Sequence, residues 1–244
     1  MPKQKRTKIV ATMGPATSSK KILRQMIEEG VDVFRINFSH ADYSEVKTRI
    51  KDIRALGEEM GRSTAILGDL QGPKLRVGIM KKEVVVKPGD EILFCTGEEF
   101  EGDASRVYMN YQNFPKDVKA GERILLDDGK LIFEVVTTNK KNEVQAVVLQ
   151  GGPLRSRKGV NLPNTAISLP ALTAKDKEDA IFAIEQKVDW IALSFVRHAE
   201  DLKELQALIE AHSEYKIPII AKIEKPEAVK NIDRITAYCD GLMV

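Results

Sequence analysis

The first third of the chain alternates between two hydrophobic patterns, one typical of strands and the other of helices. Short apolar runs predict strands over residues 8–13, 31–38 and 64–70. Between them, apolar residues recur every three to four positions and predict helices over 19–29 and 43–60, which Gly30 and Gly61 would terminate as left-handed C-caps. Because strands that alternate with helices pair in parallel, this region predicts an α/β fold.

The middle of the chain has a different pattern, in which short β-type runs follow one another without a helical period. Strands are predicted over 83–86, 91–95, 123–126, 130–137 and 143–149, separated by turn signals such as Lys87-Pro88-Gly89-Asp90. We interpret residues 76–159 as a small all-β barrel domain. It would be inserted between two parts of an α/β domain, residues 1–75 and 160–244.

The last third returns to alternating helices and strands. A helix is predicted from Thr173, whose Thr-Ala-Lys-Asp opening indicates a capping box, and further helices over 199–212 and 226–238. Strands are predicted over 190–196 and 217–223, with another beginning at 241. The sequence contains no Gly-rich dinucleotide turn, and polar residues end strand after strand. This pattern favours a (β/α)8 TIM barrel, incomplete in this chain, over an open doubly wound sheet.

Composition narrows the range of partners. Lys and Arg number 38 against 36 Asp and Glu, so the small net charge gives no reason to expect nucleic acid. No apolar stretch is long enough to span a bilayer, which predicts no membrane partner. Two distant cysteines, Cys95 and Cys239, are typical of a cytoplasmic protein. The three histidines form no zinc pattern, so any metal should have oxygen ligands.

Candidate chemistry begins in the second predicted strand. Arg35, Asn37 and Ser39 alternate with apolar residues there, so in a strand they would share one face. A guanidinium group suits a phosphate because it can donate two parallel hydrogen bonds. For this segment alone, the solvated polar face of an edge strand is an equally good interpretation.

The predicted strand over 217–223 ends in a second charged pair. Lys222 and Glu224 are two residues apart and would face the same way, next to an apolar run where unliganded charges are costly. A structural ion pair is the alternative. One carboxylate together with phosphate oxygens is a common way to hold Mg²⁺. With Arg35 and Lys222 flanking a phosphoryl group, the set would suit phosphoryl transfer.

Six segments follow one another along the chain in this order: Thr7–Pro15, Arg35–His40, Asp69–Arg76, Leu126–Gly129, Lys158–Pro163 and Ala221–Glu224. Together they resemble the pyruvate kinase family. The resemblance implies a barrel domain with a β-barrel domain inserted after its third strand. It also implies transfer of the phosphoryl group of phosphoenolpyruvate to ADP, which gives pyruvate and ATP in glycolysis with Mg²⁺.

The resemblance also implies roles for individual residues. Lys222 and Arg35 would be catalytic and, with Ser194, would bind the substrate, while Glu224 would ligate Mg²⁺. The residues implied to contact the nucleotide are Asn37, His40, Arg76 and Lys158, the last from an inserted domain that closes as a lid. Those that match the family's K⁺ site are Asn37, Ser39, Asp69 and the backbone of Leu70.

Two departures from the family pattern carry expectations of their own. Lys74 stands where K⁺-dependent members have Glu, so its ammonium could replace K⁺ and make the activity K⁺-independent. The alternative is that Lys74 faces solvent. The family's Ala-Arg-Gly-Asp segment, which carries a second Mg²⁺ ligand, is expected beyond Val244. We therefore expect this chain to be an inactive fragment of a homotetrameric enzyme.

Two other functions remain open at this point. One is a non-catalytic module that binds phosphate or nucleotide without turnover. The other is a Mg²⁺-dependent aldolase of pyruvate-type substrates, in which a barrel with Arg and Glu also stabilises an enolate. The aldolase would leave the β insert and Lys158 unexplained.

Overall fold

A computed structural model of the chain divides into two compact units. It describes residues 6–244, and His40 only through its backbone. The first unit combines the chain up to Pro73 with Pro170–Val244, and the second is Lys74–Leu169. The second unit extends beyond the predicted residue 159 because Ile167 and Leu169 still pack against its core. The assignment of the units as separate domains stays a prediction.

The elements are numbered along the chain. The helices are α1 (Lys20–Glu28), α2 (Tyr43–Glu59), α3 (Phe114–Asp117), α4 (Ala174–Glu185), α5 (Ala199–His212), α6 (Pro226–Lys230) and α7 (Ile232–Thr236). The strands are β1 (Val10–Thr12), β2 (Val33–Asn37), β3 (Ala65–Leu70), β4 (Val84–Val86), β5 (Glu91–Cys95), β6 (Arg106–Tyr108), β7 (Arg123–Leu126), β8 (Leu131–Thr138), β9 (Glu143–Gln150), β10 (Gly152–Leu154), β11 (Val160–Asn161), β12 (Trp190–Leu193), β13 (Ile219–Lys222) and β14 (Gly241–Met243). None of these helices is long and apolar enough to cross a membrane.

The first unit is built on a six-stranded sheet in the order β1-β2-β3-β12-β13-β14. Every neighbouring pair in it is parallel. The strand order follows the chain order without the reversal of a doubly wound sheet, as in a (β/α) barrel. Closure into an eight-stranded barrel stays a prediction. Apolar faces of α1 and α2 pack with the strands in one core, in which Leu23, Ile53, Phe34 and Ile66 are fully buried.

Several helix ends follow the sequence signals. Gly30 and Gly61 adopt φ values of +95° and +61° after α1 and α2, as the predicted left-handed caps require. Thr173 caps α4 in the predicted capping box with Asp176. The single helix predicted over 226–238 is wrong, because Asn231 interrupts it between α6 and α7. At this break the Asn231 side chain donates to the carbonyl of Arg197, at 3.0 Å.

The placement of Ser39 on a strand is also wrong. Strand β2 ends at Asn37, and a 3-10 helix covers Phe38–His40. The Asn37 side chain accepts a hydrogen bond from the backbone N–H of Ser39 at 3.0 Å, which caps this turn. Asn commonly competes with strand hydrogen bonding in this way, so Ser39 does not continue the alternating face of Arg35 and Asn37.

The second unit contains a six-stranded sheet in the order β11-β7-β8-β9-β5-β6 and a β10-β4 pair. The ranges of β5 and β7 agree with the prediction, whereas the short strands β6, β10 and β11 were not predicted. The unit is not purely β, because α3 forms one helical turn. Its core includes Phe94, whose ring meets those of Phe114 and Phe133 edge to face at centroid distances of 6.1 and 5.3 Å.

Candidate functional site

The carboxyl ends of four neighbouring strands bring the main candidate residues of the first unit together. Strands β2, β3, β12 and β13 are consecutive in the sheet, and Asn37 pairs with Asp69 in register. Arg35 and Asp69 lie near the ends of their strands, and Lys222 is the last residue of β13. Ser194 follows directly after β12. Parallel pairing therefore gathers residues that are far apart in the sequence.

Asp69 is the centre of this cluster. It is only 2% exposed, and Arg35 donates to its Oδ2 from Nε at 2.8 Å and also from Nη2. The ammonium of Lys222 lies 3.3 Å from Oδ1 in an ion pair, and Oδ1 accepts no hydrogen bond from residues 6–244. Both cations expected beside a phosphoryl group thus face one buried carboxylate. A charge this deeply buried needs such partners.

Ser194 connects Lys222 to the third strand. The Lys222 ammonium donates to Ser194 Oγ at 2.7 Å, and this hydroxyl donates to the carbonyl oxygen of Leu70, also at 2.7 Å. Glu224 Oε1 lies 3.5 Å from the same ammonium. We call Arg35, Asp69, Ser194, Lys222 and Glu224 the Asp69 ion network. Its two cations and two carboxylates balance one another.

Two further contacts in this network were not predicted from the sequence. Thr12 Oγ1 accepts a hydrogen bond from Arg35 Nη1 at 2.8 Å. The backbone N–H of Phe195 donates to Glu224 Oε2 at 3.0 Å, from a residue with φ of +56°. The Thr12 contact follows from the parallel pairing of Thr12 with Arg35. Nothing in a phenylalanine side chain predicts a left-handed backbone, so no sequence signal could have found Phe195.

Helix α4 anchors the turn that follows β2. Lys175 donates from Nζ to the carbonyl of Phe38 at 3.1 Å and to Asp179 Oδ2 at 2.5 Å. Tyr43 donates its hydroxyl to Asp179 Oδ1 at 2.7 Å. Burial and the Asp179 carboxylate raise the pKa of Tyr43. The Phe38–His40 turn, which carries Ser39, is therefore fixed to a helix on a distant part of the chain. The predicted contact through His40 concerns a side chain outside the described residues.

The oxygen ligands in this unit are chemically suited to hard cations. Glu224 is 34% exposed at its side chain, and a carboxylate is the type of ligand that Mg²⁺ prefers. Within residues 6–244, no three His, Cys, Asp or Glu side chains are grouped to hold a metal. Mg²⁺ would therefore depend on Glu224 together with ligand oxygens. Asn37 Oδ1 accepts from the N–H of Ser39 and the Leu70 carbonyl accepts from Ser194, and both are oxygen types that can also coordinate a hard monovalent cation such as K⁺.

The second unit brings two of the predicted nucleotide contacts together. Arg76 forms a backbone bridge with Gly159, and the N–H of Val77 donates to the carbonyl of Lys158 at 3.0 Å. Lys158 Nζ lies 2.9 Å from Asp127 Oδ1. This ammonium, with help from Lys130, holds the pKa of Asp127 below its usual range. We call Asp127, Lys130 and Lys158 the turn ion cluster.

The fold and site define an α/β protein that gathers paired charges at the carboxyl ends of a parallel sheet. A family model described as "Pyruvate kinase, barrel domain" matches residues 4–244, and the chain belongs to the pyruvate kinase family. Pyruvate kinase 2 of Synechocystis sp. is 45% identical to it, over 100% of this chain and 42% of the relative. Pyruvate kinases of Geobacillus stearothermophilus and Clostridium perfringens are 43% and 41% identical, over 99% and 98% of this chain and 41% and 50% of theirs. The chain thus spans about two fifths to half the length of these relatives.

Proposed function

We propose that this chain carries part of a site that transfers the phosphoryl group of phosphoenolpyruvate to ADP, giving pyruvate and ATP in glycolysis. Family membership supports the reaction. The observation that carries the proposal is the convergence of Arg35 and Lys222 on Asp69 at the carboxyl edge of the sheet. A phosphoryl group at this edge would meet two cations already held in position by a shared counter-ion. Phosphoryl transfer relies mainly on such positioning and charge neutralisation.

In the proposed reaction four members of the Asp69 ion network have distinct roles. Arg35 binds the substrate phosphoryl group, and Lys222 neutralises charge on the group as it is transferred. Ser194 orients the Lys222 ammonium, which it contacts at 2.7 Å. Glu224 holds Mg²⁺ together with oxygens of the substrates. Magnesium supplies charge neutralisation when bound.

For the nucleotide, we propose contacts with Asn37, His40, Arg76 and Lys158. The second unit would then act as a lid. Lys158 is paired with the Asp127 carboxylate. Phosphate oxygens of ADP would take the place of that carboxylate, since both are anionic acceptors. The two free cysteines, Cys95 and Cys239, agree with a proposed location in the cytoplasm.

The monovalent cation is a separate proposal. Asn37, Ser39, Asp69 and the Leu70 carbonyl match the K⁺ site, and we propose that the Lys74 ammonium replaces K⁺. The rate should then change little when K⁺ is exchanged for a bulky organic cation. Lys74→Glu should create a K⁺ requirement. A wild-type rate that collapses without K⁺ contradicts the proposal.

The reaction is tested by pyruvate formation from phosphoenolpyruvate and ADP, in the protein as its gene encodes it. Lys222→Ala should lower kcat by about 10²–10³, because it removes charge stabilisation in the transition state. Lys158→Met should mainly raise the KM for ADP. Lys216→Met, at an exposed lysine outside the network, is the control and should leave the rate unchanged.

Two outcomes separate the proposal from its alternatives. Binding of ADP or phosphoenolpyruvate without pyruvate formation would indicate a non-catalytic module. Cleavage of a pyruvate-type aldol substrate, with no use of ADP, would indicate the aldolase. The names of the matched relatives favour the kinase over the aldolase.

A further inference from the structure

Phe195 has a backbone conformation that its side chain does not favour. Its φ is +56°, in the left-handed region, where Gly and Asn are common and aromatic residues are rare. A residue keeps such a conformation only when its surroundings hold it there. Phe195 lies within the predicted strand over 190–196, but β12 ends two residues earlier, at Leu193.

The loop after β3 braces Phe195. Gly72 is itself left-handed, with φ of +67°, and a Cβ atom there would lie 2.8 Å from Phe195 Cδ2 and 3.1 Å from Ser194 Cβ. Only glycine therefore lets the two segments approach this closely. The N–H of Gly72 donates to Asp176 Oδ1 at 3.0 Å, and Asp176 is fully buried. The Lys225 ammonium lies 5.8 Å from the centre of the Phe195 ring, within cation–π range.

The braced backbone points its N–H at a carboxylate. Phe195 N donates to Glu224 Oε2 at 3.0 Å, while Glu224 Oε1 faces Lys222 at 3.5 Å. The two contacts use different oxygens, so together they fix the rotation of the carboxylate. We propose that Phe195 is a positioning residue, whose left-handed backbone, braced by Gly72, orients Glu224. The consequence of this orientation for metal binding rests on the proposed function, in which Glu224 holds Mg²⁺.

A purely space-filling role for the Phe195 ring makes the opposite prediction for substitutions. If the backbone conformation matters, Asn should best preserve the hydrogen bond from the residue 195 N–H to Glu224, Ala should preserve it less well, and Val least. The reason is that a β-branched residue strongly disfavours the left-handed region. If only apolar packing matters, Val should preserve this hydrogen bond best and Asn least. The ranking of Phe195→Asn, Phe195→Ala and Phe195→Val therefore separates the two roles.

The test is amide hydrogen exchange at residue 195, measured by NMR in the full chain. Glu224→Ala should lower protection of this amide by about tenfold or more, and Glu224→Gln, which keeps an acceptor oxygen, should lower it less. Phe195→Asn should retain protection within about threefold, whereas Phe195→Val should lose about tenfold. Protection at Ile191 in β12 verifies that each variant is folded. Protection that follows apolar size, or is unchanged by Glu224→Ala, overturns the inference.

A metal titration distinguishes this inference from the proposed function. Mn²⁺ serves as a paramagnetic probe for Mg²⁺ and should broaden the residue 195 amide in the wild type but not in Glu224→Ala. Phe195→Val should need about three- to tenfold more Mn²⁺ for the same broadening, and Phe195→Asn little more. Absence of broadening in the wild type would contradict the metal role of Glu224, while the exchange ranking would still decide the role of Phe195. Equal Mn²⁺ affinity in Phe195→Val and wild type would overturn the inference.

Discussion

The two units hold their charged groups in different ways. In the first unit, the Asp69 ion network lies at the ends of parallel strands, around a carboxylate that is only 2% exposed. In the second unit, Asp127 and Lys130 of the turn ion cluster lie on a tight turn, where Asp127 and Asp128 have φ of 49° and 58° and the Asp127 side chain is 12% exposed. There the Lys130 side chain is 70% exposed and that of Lys158 is 33% exposed.

This difference decides what each charge contributes. Water can replace the partners of an exposed ion pair, so breaking it changes stability little. A buried carboxylate has no such substitute, so removing one partner leaves the others uncompensated. Removing a charge at the ends of the parallel strands should therefore lower the stability of the sheet. The charges on the turn can exchange partners, as contact with a ligand would require.

The largest expected effect is that of Asp69→Ala. It leaves Arg35 and Lys222 close together without their shared counter-ion and should lower the free energy of unfolding by about 3–5 kcal/mol. Urea denaturation followed by the fluorescence of Trp190, the single tryptophan, reports on the first unit. Asp127→Ala is the matched variant in the second unit, and circular dichroism, which reports on both units, should show a far smaller loss of stability than for Asp69→Ala. A similar midpoint in both variants would remove the distinction between the two clusters.

The next effect is that of Asp176→Ala, which tests the connection between α4 and the loop after β3. Asp176 accepts from Gly72 N and from Thr173 N at 2.9 Å, so its removal leaves two buried or capping donors unpaired. We expect a loss of about 2–3 kcal/mol by the same fluorescence assay. Asp176→Asn should lose less because it keeps an acceptor. Glu178→Ala, exposed on the same helix, should have little effect.

A smaller effect is expected at alkaline pH in the second unit. Burial and hydrogen bonding to Asp117 raise the pKa of Tyr111 from 10.0 to about 12. Above pH 10 the unfolded chain loses this proton while the folded chain keeps it, so stability is full below pH 10 and falls towards pH 12. The loss should be about 1–2 kcal/mol, measured by urea denaturation with circular dichroism.

The same alkaline loss should become smaller in Tyr111→Phe. Tyr43→Phe, which removes a carboxylate-bound tyrosine from the first unit, is the matched variant and should leave the loss in the second unit intact. An unchanged pH dependence in Tyr111→Phe would show that Tyr111 does not cause it.

The smallest effect concerns the turn ion cluster itself. Lys158→Met should raise the pKa of Asp127 towards its usual range, and Lys130→Met should raise it less, because the Lys158 contact is the larger cause. Carbon-13 NMR of the Asp127 carboxylate measures its pKa in both variants. Any stability from this carboxylate is present above its ordinary pKa and lost as the pH falls through the lowered value. High salt should weaken the difference between the variants. A larger pKa shift in Lys130→Met than in Lys158→Met would show that Lys130 is the larger cause of the lowered Asp127 pKa.

The sequence predicted much of the local structure because its signals are local. Apolar periodicity placed α1, α2, α4 and α5, and the capping signals at Gly30 and Thr173 are confirmed. Strand ends were less well predicted, since they depend on hydrogen bonds that a neighbouring strand provides. The end of β2 shows one such case, because the Asn37 side chain accepts from the backbone N–H of Ser39 and a 3-10 turn begins there.

The sequence by itself determined the family, because its motifs and their order can be read directly from the residues. It also determined the candidate set of Arg35, Asp69, Lys222 and Glu224, since the chemistry of each side chain is known from its residue type. Only the tertiary structure showed that the two cations share Asp69 and that Ser194 links Lys222 to Leu70. It alone placed the N–H of Phe195 on Glu224. These contacts depend on which strands are neighbours and on a backbone angle imposed by packing against Gly72, and neither is encoded in any single residue.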